Sequence, residues 1–343
     1  MGKRAKKTPV HRLHANLITD VAGLSVGNAD DADLRSGASV VVFDQPAIAA
    51  CSVLGGAPAG VATQSFEPDM VIEAVDALVL SGGSGFGLEA TTGVQAWLRQ
   101  QGRGFQIGET RIPIVAGAIC FDMLNGGDKS WGRYAPYREL GFAAAERTSA
   151  GPFALGTAGG GFGASTVNLK GGLGSASAVT PSGHTVGALV VVNAIGAATM
   201  GEGPHFWAAG YEVGKEFGGL GFPKRISTDM TELAWKGGPT FATTIAIVAT
   251  DAILTKPMAK RLAITANDGF ARALRITHAL FDGDTVFAAS TGRRPLKDPV
   301  NEQIEIGAVA ADCVARAIAR GVYEATPYPF GTSPLPTWRE RFG

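Results

Sequence analysis

Residues 245–249, Ile-Ala-Ile-Val-Ala, form an unbroken run of β-branched and small apolar side chains, the pattern of a strand buried on both faces. Similar runs recur at 40–43, 48–53, 77–80, 112–116, 188–192 and 285–289. Helical spacing appears at 87–100 and again at 256–279, where Met258, Leu262, Ala266, Phe270, Ala273 and Leu274 share a face. A third helix is predicted over 304–323, where Val309, Cys313 and Ala317 step by four. Strands and helices do not alternate one for one. The pattern therefore predicts layers of sheet covered by helices, not a simple doubly wound sheet. The stretch 217–239 is rich in glycine, proline and charge, with little periodicity. It reads as a linker between a long first part and a compact last part.

Composition narrows the picture. Glycine supplies 48 of 343 residues, about twice the usual ~7%, and follows no repeat. Such glycines predict tight turns and close backbone approaches. Lys+Arg and Asp+Glu both number 30, so no basic footprint for nucleic acid is expected. No apolar stretch reaches the roughly 18 residues of a membrane span. The opening MGKRAKKTPVHRL is basic but leads into no apolar core, which predicts a flexible tail over 1–16 and a cytoplasmic protein. Cys51, Cys120 and Cys313 lie far apart in apolar settings and read as reduced core residues. The five histidines have no metal-ligand spacing, so neither metal nor cofactor is expected.

Several polar positions interrupt this apolar frame. The run 77–80 is followed by SGGSGFGLEATTGVQAWL, a strand, glycine-rich turn and helix in which Gly85, Gly87 and Ala90 fit a relaxed dinucleotide fingerprint. The plainer reading is a close-packed turn lining a pocket. Ser84 is in no nucleophile elbow, because Phe86 holds the last glycine position, and His184, His205 and His278 lie in no triad context. Lys170 precedes two glycines and a small-residue strand, which suits a solvated turn lysine. Asn193 ends an apolar run; it either caps the strand or directs an N–H into a site. Asp282-Gly283-Asp284 is a hairpin-corner signal or a carboxylate pair that charges a neighbouring group. The other ligands of a calcium loop are missing. Thr243 and Thr244 stand at the mouth of the 245–249 strand. A threonine hydroxyl needs a base, and its own α-amine can serve if the chain is cut before it. That amine titrates near 7.7–8.0, close to working pH.

Five stretches, SGGSGFGLEA, LKGGLGSAS, VVVNAIG, TTIAIVATDA and DGDTVFA, occur in that order. Together they resemble the DmpA-like family of L-aminopeptidase/D-esterases, β-aminopeptidases and the nylon-oligomer hydrolase NylC, over about 17–323. The resemblance implies an α+β fold, a four-layer αββα sandwich of the DmpA and ornithine acetyltransferase type. It also implies a precursor that cuts itself into a large part (17–242) and a small part (243–343) of one shared domain, assembled as a homo-tetramer. Thr243 then matches the nucleophile and Asn193 the oxyanion-hole asparagine. Lys170, Asp282 and Asp284 match residues that orient the nucleophile and stabilise its ammonium in the nylon-hydrolase branch, towards which Asp-Gly-Asp leans. Ser84, Gly85 and Phe121 fall at pocket positions, and Phe121 replaces a tyrosine of that branch. Ala242 departs further, since the family residue before the nucleophile is typically asparagine and sometimes glycine. A methyl group cannot hold that peptide as an amide can, which implies a chain held before its cut, as replacement of an asparagine would produce. The implied activity is hydrolysis of small amides, peptides or nylon oligomers. The rivals are an acyltransferase of the ornithine acetyltransferase type and a non-catalytic nucleotide-binding protein built on 81–90.

Overall fold

The computed structural model describes residues 15–237 and 241–343. The chain opens with β1 (Leu24–Asp31) and β2 (Ser36–Val53), an antiparallel pair. The two apolar runs expected at 40–43 and 48–53 are thus halves of one strand. Asp44, Gln45 and Pro46 are exposed at its middle, and Pro46 has no N–H to continue a ladder. There the pairing of β2 with its neighbour shifts register, between Val42 and Ala47. Among the described residues nine strands form one hydrogen-bonded ladder, which β2 folds into two layers, a first and a second sheet, around a shared core.

The first sheet continues from β2 through β4 (Ala74–Ser81) to β7 (Val115–Ile119) and the short β3 (Gly60–Val61). A separate hairpin, β5 (Phe105–Ile107) and β6 (Thr110–Ile112), precedes β7. The strand expected at 112–116 is therefore divided, and Pro113 stands at the break. The second sheet runs from the far half of β2 to β11 (Thr285–Arg294), β10 (Thr243–Ala252), β9 (Thr185–Asn193) and β8 (Gly172–Val179). Strands β10 and β11 are parallel, whereas β9 is antiparallel to both β10 and β8.

Three apolar clusters show how these sheets are layered. Between them, Val41, Leu78 and Leu80 meet Leu189, Ile245, Ile247 and Phe287. Outside the first sheet, Val40 and Val79 pack on Val94 and Leu98 of α1 (Ala90–Gln100) and Ala144 of α2 (Tyr137–Glu146). Outside the second, Val190, Ala246 and Val248 face Leu262 of α3 (Lys256–Ala266), Phe270 of α4 (Asp268–Ala273) and Cys313 of α5 (Pro299–Tyr323). Ile245 and Ile247 thus point to one core, Ala246 and Val248 to the other, which is why the run carries no polar residue. The fold is the αββα sandwich. The short α6 (Trp338–Phe342) joins the outer core beside α5 through the buried Trp338. Close packing explains part of the glycine content: a Cβ at Gly174 of β8 would stand 1.8 Å from Ala317 O of α5.

The helix expected over 256–279 is shorter and broken. It ends at Ala266, resumes as α4, and becomes extended at Leu274, where φ is −127° and ψ 135°. Ile276 and His278 then adopt positive φ. Apolar spacing carries no signal for this exit, which frees 275–284 to approach β10. The tail expected over 1–16 overlaps the described residues at its end. There Asn16 is buried, its Nδ2 donating to Glu216 Oε2 (2.6 Å) while Arg316 Nη2 donates to its Oδ1 (2.6 Å). The three cysteines are buried free thiols. Among the described residues no helix is long and apolar enough to cross a membrane.

Candidate active site

Strand register assembles the site. In the antiparallel β9–β10 pair, Asn193 is the last residue of one strand and lies opposite Thr243, the first of the other. On the opposite side, parallel pairing of Ile245 with Thr285 brings Asp284 beside Thr244, whose N–H donates to Asp284 Oδ1 (2.8 Å). One step earlier Ala242 bridges to Asp282. Ala242 N–H donates to Phe281 O (3.1 Å), and Gly283 N–H donates to Ala242 O (3.0 Å). Residues 282–284 are thus no hairpin corner, since they lead from an irregular loop into a strand parallel to β10. Gly283 is required by close approach: a Cβ there would lie 2.6 Å from Thr243 Oγ1. That hydroxyl donates to Ala242 O, the carbonyl of its own preceding peptide.

Both carboxylates are buried. Asp284 Oδ2 accepts His278 N–H (2.9 Å), and His278 Nδ1 lies 2.9 Å from the same oxygen. Asp282 Oδ2 accepts Ala279 N–H (3.1 Å), while its Oδ1 has no hydrogen-bond partner. Burial, reinforced by the neighbouring Asp284, holds the Asp282 carboxyl above the usual carboxylate range.

Lys170 reaches the site from the start of β8. It is buried, not solvated. Its Nζ donates to Phe162 O (2.7 Å) and lies 4.0 Å from the centre of the Tyr328 ring. Burial, reinforced by the Arg35 charge, brings its pKa from 10.5 down to about 7. Asn193 is also buried; its Nδ2 donates to Phe121 O (2.8 Å), and its Oδ1 accepts Ser165 N–H (3.0 Å). Lys236 was not foreseen from the sequence. A lone lysine in an aperiodic stretch gives no signal, yet its Nζ donates to Ser165 O (2.8 Å) and Asn193 Oδ1 (3.2 Å).

A cleft of about 100 Å³ opens here, lined in part by Phe121, Ser165, Lys170, Asn193, Lys236 and Phe241. Thr243 is not on its wall. Phe241, two residues upstream, stands between the rings of Phe121 and Phe281, with centroids 5.9 and 5.5 Å away. Gly238 and Pro239, at the end of the stretch read as a linker, lie outside the described residues. Ser84 and Gly85 sit on a 3-10 turn (Ser84–Glu89) away from the cleft wall. Five amides around that turn are already bonded within the chain. The N–H groups of Gly82, Gly83, Ser84, Phe86 and Gly87 donate to Gly37 O, Asp122 Oδ1, Cys120 O, Gly83 O and Gly83 O. They are not available to cradle a phosphate.

The site therefore offers a hydroxyl against a held carbonyl, an amide donor opposite it, two buried carboxyls, the buried Lys170 amine and the half-buried Lys236 amine. Among the described residues no group of three or more His, Cys, Asp or Glu could hold a metal. The sequence profile of peptidase family S58 matches residues 16–332. An uncharacterized aminopeptidase of Mycobacterium bovis is 37% identical over 348 residues, spanning 95% of this chain and 98% of that protein. The 6-aminohexanoate-oligomer endohydrolase of Paenarthrobacter ureafaciens is 26% identical over 282 residues, spanning 79% of this chain and 74% of that protein. Among solved structures, a β-aminopeptidase of a Burkholderia species superposes with a TM-score of 0.70. That match covers 98% of this chain and 96% of that one at 21% identity, a likeness of fold.

Proposed function

Because the chain belongs to peptidase family S58, we propose that it is the precursor of a self-cutting amide hydrolase: a cut at the Ala242–Thr243 bond frees Thr243 to hydrolyse small amides, and alanine at 242 holds the chain before that cut. Membership makes it an amide hydrolase; the identity of the nucleophile and the self-cut are the further step. In that step Thr243 Oγ1 attacks the Ala242 carbonyl carbon. The charge developing on Ala242 O meets the Gly283 N–H already bonded to it. Collapse breaks the C–N bond, the hydroxyl proton passes to the nitrogen, and the acyl group is left as an ester on Oγ1. Water then hydrolyses the ester, giving a carboxylate on Ala242 and a free α-amine on Thr243. Asp282, with one buried oxygen unpartnered and its carboxyl held high, is suited to carry a proton in this step.

In turnover the α-amine takes the hydroxyl proton, Oγ1 attacks the substrate amide, and Asn193 donates to the oxyanion. The amine returns the proton to the leaving amine, and water releases the acid. The two carboxyls favour the transient ammonium. The observation that carries this reading is the cross-strand pairing of Thr243 with Asn193, with the Ala242 carbonyl held by Gly283. Ala242 supplies no side-chain amide to strain that peptide, so the chain with alanine there is held before its cut. The substrate class is a short peptide, amide or nylon oligomer, the Asp-Gly-Asp sequence favouring the last.

The test is mass spectrometry of the purified chain and of Ala242→Asn, each with and without Thr243→Ala. Fragments 1–242 and 243–343 should appear rapidly with Ala242→Asn and not with Thr243→Ala, with amide turnover following the cut. Turnover at the normal rate by Thr243→Ala would remove the mechanism.

A further inference from the structure

Lys236 has no part in the reaction derived above, yet it is held at both ends. Its backbone N–H donates to Ile195 O (3.0 Å), two residues beyond Asn193. Its Nζ donates to Ser165 O and Asn193 Oδ1, and Ser165 N–H donates to the same Oδ1. The three residues close a ring of hydrogen bonds. A side-chain amide has one acceptor end with two lone pairs and one donor end with two N–H bonds. Two donors on Oδ1 fill the acceptor end. They exclude the flipped amide, which would turn its NH2 against an ammonium and a backbone N–H. Nδ2 must then face Phe121, to whose carbonyl it gives one N–H. Its second N–H remains for a developing oxyanion. The ammonium on Oδ1 also polarises the amide and strengthens Nδ2 as a donor.

The geometry points to Lys236 as the positioning residue that sets the orientation and donor strength of Asn193 in turnover. This rests on the role given to Asn193 above. It also means that the segment at 236, near the end of the large part, stays held beside Asn193 after the cut. The three bonds of Lys236 do not depend on the Ala242–Thr243 peptide. Desolvation outweighs the opposing pull of Cys120 and Asp282 and brings the half-buried Lys236 down to about 8. A lysine so placed loses its proton in the mildly alkaline range, which an arginine does not.

The experiment uses the Ala242→Asn full chain after its cut. Lys236→Met and Lys236→Arg are each made with Asn193 intact and in an Asn193→Ala background, and kcat and KM are measured on one small amide. With Asn193 intact, Lys236→Met should lower kcat by about 10- to 100-fold and change KM by less than about twofold. With Asn193→Ala the same substitution should cost less than about twofold, because the group it acts through is gone. Lys236→Arg should keep most of kcat and lose the fall in rate above about pH 8. Equal losses in both backgrounds, or no loss with Asn193 intact, would overturn the inference. If Lys236→Met does not fold, an unchanged alkaline limb in Lys236→Arg overturns it. Failure of the underlying reading looks different: Thr243→Ala and Asn193→Ala would then turn over normally whatever stands at 236.

Discussion

The turn after β4 and the turn before β11 are both short, glycine-bearing and placed at a strand end, but they use their polar groups differently. The first, Gly82 to Gly87, directs its N–H groups to acceptors within the chain. Two of these, Asp122 Oδ1 and Cys120 O, belong to the segment carrying Phe121, so the turn braces one wall of the cleft. The second, Asp282-Gly283-Asp284, keeps capacity in reserve. Asp282 Oδ1 is buried without a partner, and Gly283 N–H lies on the carbonyl that Thr243 would attack. A turn whose N–H groups are mostly matched supports; a buried carboxyl oxygen left unmatched, beside the proposed nucleophile, can exchange charge with a reaction.

Substitutions can break this contrast. The largest effect is expected for Asn193→Ala, which should reduce turnover by about 10²–10³-fold, as loss of an oxyanion donor does, measured as kcat of the cut form. Gly283→Ala comes next. Its Cβ would displace the Thr243 hydroxyl, so appearance of fragment 243–343 in the Ala242→Asn chain should slow by about 10²-fold, the penalty of misplacing a reacting group. In the bracing turn, Gly87→Ala puts a Cβ 1.7 Å from Gly82 O. It should destabilise the fold by about 1–3 kcal/mol in denaturant unfolding, the range for overpacking. Gly85→Ala meets nothing within 4 Å and should leave both cutting and stability near the parent. A slow cut in that variant would mean the first turn does more than brace.

A separate effect concerns pH. Lys170 has a folded pKa of about 7, below its ordinary 10.5, so between these values the unfolded chain binds the extra proton. Stability should therefore rise with pH from about 7 towards 10.5, and this contribution is absent below 7. Lys170→Met should flatten that slope in unfolding curves taken at stepped pH. An unchanged slope would mean the ammonium is better solvated than its burial implies.

How much of this was legible differed by residue type. The doubly buried strands could be read from apolar runs, and α5 from its four-residue step, because burial leaves a local periodic mark. The bend at Pro46, the exit from helix at Leu274 and the buried Asn16–Arg316–Glu216 cluster left no such mark. Their causes lie in partners distant along the chain. In the site, the importance of Thr243, Asn193 and the two aspartates came from their stretches matching a family pattern. Residue chemistry by itself left Asn193 open between a cap and a donor, and favoured a solvated Lys170. Lys236 was invisible.

The sequence by itself determined that this chain must bury two-faced strands between helices, since no other arrangement hides runs such as 245–249 from water. It also supplied a threonine able to act if made first in a chain. Only the tertiary structure decided which polar groups meet that threonine. Asn193, Asp282 and Asp284 are brought to it by the register of β9 and β11 on either side of β10. A slip of one residue in either pairing would turn those side chains to the opposite face. Register is a property of two strands at once, and no single stretch of sequence contains it.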